Sequence, residues 1–155
     1  MQIYGFILKN INFAAEKIRK MHTFYKHEVK YYECDRMGIT HHSNYVRIME
    51  EARIDYLDKL GWGFDKIEAD GVVSPVVSVE CKYKSPTTFK DIIDVEVCIS
   101  KMSDLKFEFD YIMRKDGKLV AEGHTVHCFT ENGRPVVIEK RLPELYKRIQ
   151  NSLFN

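Results

Sequence analysis

Asp35, His41 and His42 crowd into the few residues ahead of the longest helical pattern in the chain, inside the stretch 31–63, YYECDRMGITHHSNYVRIMEEARIDYLDKLGWG. They are the one concentration of chemically useful side chains in the sequence. A carboxylate can act as general base or as nucleophile. A neutral imidazole both donates and accepts hydrogen bonds. The first amides of a helix lack internal partners and carry the positive end of its dipole, so they favour an anion. Bland readings stand beside these. An Asp in a loop before a helix often caps it or turns in solvent. Adjacent histidines do not easily send both rings into one cleft, which predicts one exposed and one packed. Glu50 and Glu51 read as a solvated helix face. His124 and His127 lie three apart on a strand and so face opposite sides, and no spacing supports a metal site. Lys82, Lys84 and Arg53 read as surface cations with a secondary use on phosphates.

The elements that must hold these residues are legible in the periodicity. From Tyr45 the apolar residues Ile48, Met49, Ala52, Tyr56, Leu57 and Leu60 form one stripe of a helix over 43–60. Ser43 or Asn44 is placed to cap it, with Tyr45 as first core residue, and Gly61 or Gly63 to end it. A strand at 24–33 precedes it, with Tyr31 and Tyr32 as core and edge packing. Loop signals run from Gly61 to the Asp70-Gly71 pair. The period then changes to two. Val77, Val79, Cys81 and Tyr83 alternate with polar neighbours, as do Ile93, Val95, Val97 and Ile99, then Leu105, Phe107, Phe109, Tyr111 and Met113. Asp116-Gly117 and Asn132-Gly133 signal hairpins on either side of a strand at 119–130 and ahead of a short strand at 134–138. Pro143 opens a C-terminal helix over 144–153. Tight turns make the strands antiparallel, and one long helix must cover the buried face. The expectation is an α+β domain.

The chain has 155 residues, enough for one domain with a real core. Lys plus Arg (24) nearly equals Asp plus Glu (23), a net charge of +1 that argues against bulk binding to nucleic acid or membrane surfaces. No apolar run reaches the ~20 residues of a membrane span. Cys34, Cys81, Cys98 and Cys128 form no C-x-x-C pair and read as reduced, buried thiols of a reducing compartment. Residues 1–22 read as an amphipathic extension outside the core, with Met21 an alternative start.

The block ECDRMGITHHSNYVRIMEEAR resembles the loop and helix of the hotdog-fold acyl-CoA thioesterases, in the group typified by 4-hydroxybenzoyl-CoA thioesterase and the Tol–Pal-associated thioesterase. That family's loop runs roughly D-x-D-x-x-G-(I/V)-x-x-x-x-N-Y. Asp35, Gly38-Ile39, Asn44-Tyr45 and Ala52-Arg53 match it, and PVVSVECKYKSP at 75–86 resembles the strand that follows. Glu33 departs, standing where the family often has Asp. The resemblance spans about 24–142. It implies a hotdog fold, a curved antiparallel sheet of five or six strands around one long helix. That domain would occupy 23–142, followed by a C-terminal helix at 143–155. It implies hydrolysis of acyl-CoA to free acid and CoA. Asp35 would be base or nucleophile, the amide near His42 would polarise the carbonyl, and the His42 ring would orient water or Asp35. Gly38, Ile39, His41, Ser43, Asn44 and Tyr45 would line the substrate. Pro75, Val76 and Ser78, from segment 74–79 of a second subunit, would complete the site. Glu51 stands in reserve, since a related hotdog group uses a helical glutamate. No metal or cofactor is implied, with coenzyme A entering only as part of the substrate. A cytoplasmic homodimer, or a tetramer, is expected. The alternatives are a non-hydrolytic acyl-thioester binder and a hydratase or dehydratase on the same fold. The latter's H-x-x-x-x-F-P-G-type stretch is not found in this sequence.

Overall fold

The computed structural model describes residues 21–154. Strand β1 (His22–Glu28) leads through a 3-10 turn (Tyr31–Glu33) and a loop into α1 (Ser43–Lys59). A short α2 (Phe64–Ala69) follows, then β2 (Val76–Tyr83), β3 (Ile92–Met102), β4 (Lys106–Lys115) and β5 (Lys118–Cys128). A small hairpin of β6 (Thr130–Glu131) and β7 (Arg134–Pro135) precedes α3 (Ile138–Arg141) and α4 (Pro143–Phe154). The main sheet is five-stranded and antiparallel, in the order β1-β3-β4-β5-β2.

The α1 stripe is buried in full, from Tyr45 to Leu60. It meets the alternating inward residues of the central strands: Ile93, Val95, Val97 and Ile99, then Phe107, Phe109, Tyr111 and Met113. Removing that much apolar surface from water is what seats the helix on the sheet. Gly61, at φ +81°, ends α1 in the left-handed region. Asp116 and Gly117, at φ +48° and +77°, make the two-residue turn that fixes the β4–β5 register at Lys115 opposite Lys118. α4 returns Leu145 and Ile149 to the same core. Among the described residues no helix is long and apolar enough to cross a membrane.

Several expectations need correction. β1 stops at Glu28, because Lys30 gives its N–H to the Glu33 carboxylate (2.7 Å) and the chain winds into the 3-10 turn instead of extending. Tyr31 and Tyr32 are each 80% exposed and pack in no core. The stretch expected as loop contains α2, held by the buried Ile67. The strand expected at 134–138 ends at Pro135, which has no N–H for a ladder, and Ile138 instead starts α3 and is buried. On β2 the side chains expected to face inward, Val77, Val79 and Tyr83, are 48%, 43% and 49% exposed. β2 is the sheet's edge, and no described residue covers its face there. Cys34, Cys81 and Cys128 are half-buried rather than buried. The N-terminal extension lies, for residues 1–20, outside the described residues.

Candidate active site

Asp35 sits in a loop tied at several points. Its N–H donates to the Ile39 carbonyl (2.9 Å), its carbonyl accepts from Gly38 (2.9 Å), and its Oδ1 accepts the Met37 N–H (2.8 Å). Gly38 turns the chain at φ +77°, a region open to glycine. Cys34 and Thr40 then bridge the loop's ends. The carboxylate is half-buried, and its Oδ2 has no hydrogen bond among the described residues. That oxygen is available to a reacting group.

The helix start differs from expectation. Neither Ser43 nor Asn44 caps it. The N-cap position falls on His42, whose side chain makes no capping bond, and the first helical amide, the Ser43 N–H, is taken by His41 Nδ1 (3.3 Å), which also faces the Ser43 hydroxyl (2.8 Å). Asn44 turns away and donates to the Glu33 carbonyl (2.8 Å). The His41 N–H donates to that same carbonyl (2.8 Å). The next amide, that of His42, has no acceptor among the described residues. The His42 ring is exposed, lies 4.1 Å from the His41 ring and meets Tyr83 edge-on.

Asp35, Ile39 and His42 line one cleft of about 370 Å³. Tyr83, Lys84, Ser85 and Pro86, from the end of β2 and the turn after it, line it too. Thr40 and Tyr45 close its buried side, where the Thr87 hydroxyl meets the hydroxyls of Thr40 (2.7 Å) and Tyr45 (2.9 Å). Burial pushes the Tyr45 and Tyr83 phenols up, so both stay protonated. Tyr83 gives its O–H to the His42 carbonyl (3.0 Å).

Of the residues singled out in the sequence, Asp35, Ile39, His42 and Tyr45 therefore meet in one place. Gly38 shapes the loop, with its carbonyl accepting from Thr88 (2.7 Å). His41, Ser43 and Asn44 build the helix start. Pro75, Val76 and Ser78 are exposed at the β2 edge, outside this chain's cleft. Glu51 is also outside it, accepting from the Tyr25 hydroxyl (2.8 Å). Burial and that carboxylate push Tyr25 up to about 12. Sequence reasoning missed Thr40, Tyr83 and Ser85, while Lys84, read as a surface cation with a secondary use on phosphates, does line the cleft. A Ser-Pro turn at the end of β2 is the signal that could have pointed to Tyr83 and Ser85, and Thr40 carried none.

One cation reading changes. Arg53 is buried rather than at the surface, 3.5 Å from His127. His127 is fully buried against Thr125 (2.7 Å), and burial, with Arg53 beside it, pushes it down to about 3. His124 faces the other side and meets Asp110 (2.6 Å) and Glu108 (3.2 Å). No cluster of three metal-ligating side chains occurs among the described residues.

The sequence profile of the thioesterase-like superfamily matches residues 18–149. An Aquifex aeolicus protein, provisionally named an esterase, is 37% identical over 123 residues, covering 79% of this chain and 96% of that one. The 4-hydroxybenzoyl-CoA thioesterase of Pseudomonas sp. strain CBS-3 is 27% identical, with coverages of 67% and 79%. The crystal structure of the DHNA-CoA thioesterase from Staphylococcus aureus superposes with a TM-score of 0.81 at 26% identity, covering 83% of this chain and 89% of that chain.

Proposed function

The chain belongs to the thioesterase-like superfamily, and from that premise we propose that it hydrolyses acyl-CoA to the free acid and CoA at the Asp35 cleft. The observation that carries this reading is that the open Oδ2 of Asp35 and the unpartnered amide of His42 belong to residues lining one cleft. A thioester carbonyl held there meets both requirements of the reaction. Asp35 takes the proton of an attacking water, or attacks the carbonyl itself to give a mixed anhydride that water then opens. The His42 amide, at the positive end of α1, donates to the oxygen on which charge develops. One such donor is worth about 2.7–4 kcal/mol. The thiolate of CoA leaves and takes up a proton. No metal or cofactor enters this scheme.

Lys84 lines the cleft and is held only at 3.8 Å from Glu122, which suits it to the phosphates of CoA. Our reading further includes a homodimer, or a tetramer, in which segment 74–79 of one subunit completes the other's cleft. Its support is the open β2 edge with Val76, Val77 and Val79 exposed. It also sets the protein in the reducing cytoplasm, supported by the thiols of Cys34, Cys81 and Cys128 standing free.

The test is thiol release from a panel of acyl-CoA substrates, including 4-hydroxybenzoyl-CoA. Asp35→Asn is expected to lose turnover by at least roughly a hundredfold with the fold retained. Turnover near wild type in that variant sinks the role given to Asp35.

A further inference from the structure

Behind the Asp35 loop lies a polar cluster that the hydrolytic scheme does not use. Glu33 is 6% exposed and His27 also 6%. A carboxylate out of water needs partners that replace its hydration. Glu33 has two: His27 Nε2 at 2.8 Å and the Lys30 N–H at 2.7 Å. The other ring nitrogen of His27 lies 3.2 Å from Glu51 on α1, and the Tyr25 hydroxyl donates to that same Glu51 oxygen. The buried imidazole thus bridges two carboxylates, one on the 3-10 turn and one on the helix, from its own place on β1.

The main chain of Glu33 is equally committed. Its carbonyl accepts from the His41 N–H and from the Asn44 side chain, each at 2.8 Å. Those bonds fix the peptide just before the His42 amide and the side chain of Asn44, two residues after it. Asp35 follows two residues after Glu33. Glu33 is therefore the joint at which β1, the Asp35 loop and the start of α1 are fastened together.

We propose that Glu33, clamped by His27, is a positioning residue that holds the Asp35 carboxylate and the His42 amide in register across the cleft. The inference rests on the reading of Asp35 as the catalytic group. It gives Glu33 no contact with substrate: Glu33 acts through the loop it anchors.

The experiment uses the full chain, with thiol release from the best substrate of the acyl-CoA panel. Glu33→Ala is expected to lower kcat by about tenfold or more while KM stays within about twofold, because geometry and not ground-state binding is lost. Glu33→Gln keeps the shape and the bond to Lys30, and is expected to recover most of that loss. His27→Gln loosens the clamp from the other side and is expected to lower kcat without moving KM. Glu33→Ala in an Asp35→Asn background is expected to cost little more than Asp35→Asn alone, since the two act as one unit. Hydrogen exchange of the His41 amide is expected to quicken by about tenfold in Glu33→Ala.

Wild-type kcat and wild-type His41 exchange in Glu33→Ala, with Asp35→Asn inactive, overturn the proposal and leave the assignment of Asp35 standing. Turnover retained in Asp35→Asn removes that assignment, and the proposal with it. If Glu33→Ala does not fold, His27→Gln and Glu33→Gln decide: wild-type kcat in both, with no change in His41 exchange, overturns it.

Discussion

Tyr83 reaches from the end of β2 to donate its hydroxyl to the His42 carbonyl, 3.0 Å away, and so ties the sheet edge to the helix start. Its effect should be modest, because such a bond is worth about 1 kcal/mol net. Tyr83→Phe is expected to lower kcat/KM about fivefold. An unchanged kcat/KM would show that the helix start needs no such tether. His127 carries a separate consequence. The folded protein holds it down at about 3, against an ordinary histidine near 6.5. Above pH 6.5 the ring is neutral in both folded and unfolded chains, and its burial is not opposed. Below 6.5 the unfolded chain takes up a proton that the folded one refuses, so stability is lost as pH falls toward 3. For one such group the slope approaches about 1.4 kcal/mol per pH unit. Urea unfolding between pH 7 and pH 4 should show a shallower decline in His127→Gln than in the wild type. Parallel declines would mean that other groups govern acid unfolding.

At the scale of elements, α1 meets β5 tightly at one point, Met49 over Gly123. A Cβ placed on Gly123 would fall 2.1 Å from Met49 Sδ, well inside contact distance. Gly123 is thus a seat for the helix, which the strand supplies by having no side chain there. Gly123→Val is expected to destabilise the fold by about 1–3 kcal/mol in urea titration, through overpacking. Combined with Met49→Ala the total should fall short of the sum of the two single effects, since the Ala clears the space the Val needs. Strict additivity would place the strain elsewhere. The same seat matters for function, because the depth at which α1 lies sets the height of its first turn, and so of the His42 amide, against the 83–86 wall.

For the molecule as a whole, the open question is the β2 edge. An edge strand offers unpaired N–H and C=O groups, and here it also presents Val76, Val77, Val79 and Tyr83 to solvent. That combination suits pairing with a second copy of the chain. Lysines at the edge oppose such pairing. If the proposed dimer forms through this edge, Val77→Lys together with Val79→Lys is expected to give monomers in light scattering and, because the cleft would be shared, to reduce turnover with it. A wild-type protein that is already monomeric at working concentration would remove the shared-cleft argument.

By itself the sequence determined the helix and the three central strands, and it singled out the loop whose Asp35 lines the cleft. Each rests on a local regularity. Seven stripe residues at helical spacing, alternating Ile/Val and Phe/Tyr runs, and an Asp-Gly turn have one low-energy reading apiece, and the structure buries or turns each of them as expected, except Leu105, which falls just before β4 and is 42% exposed. The Asp35 loop was legible because its spacing survives as a block. Only the tertiary structure decided what depends on residues far apart in the chain. It showed that Tyr83, Lys84 and Pro86 line the same cleft as Asp35, that His41 Nδ1 takes the first amide of α1, and that Arg53 is buried beside His127. It also turned Glu33, in sequence no more than a departure from a pattern, into the residue that fastens the loop. The physical reason is the same in each case. Periodicity reports which face of an element is apolar, whereas a polar side chain's role is set by the partner that reaches it, and that partner is chosen by packing.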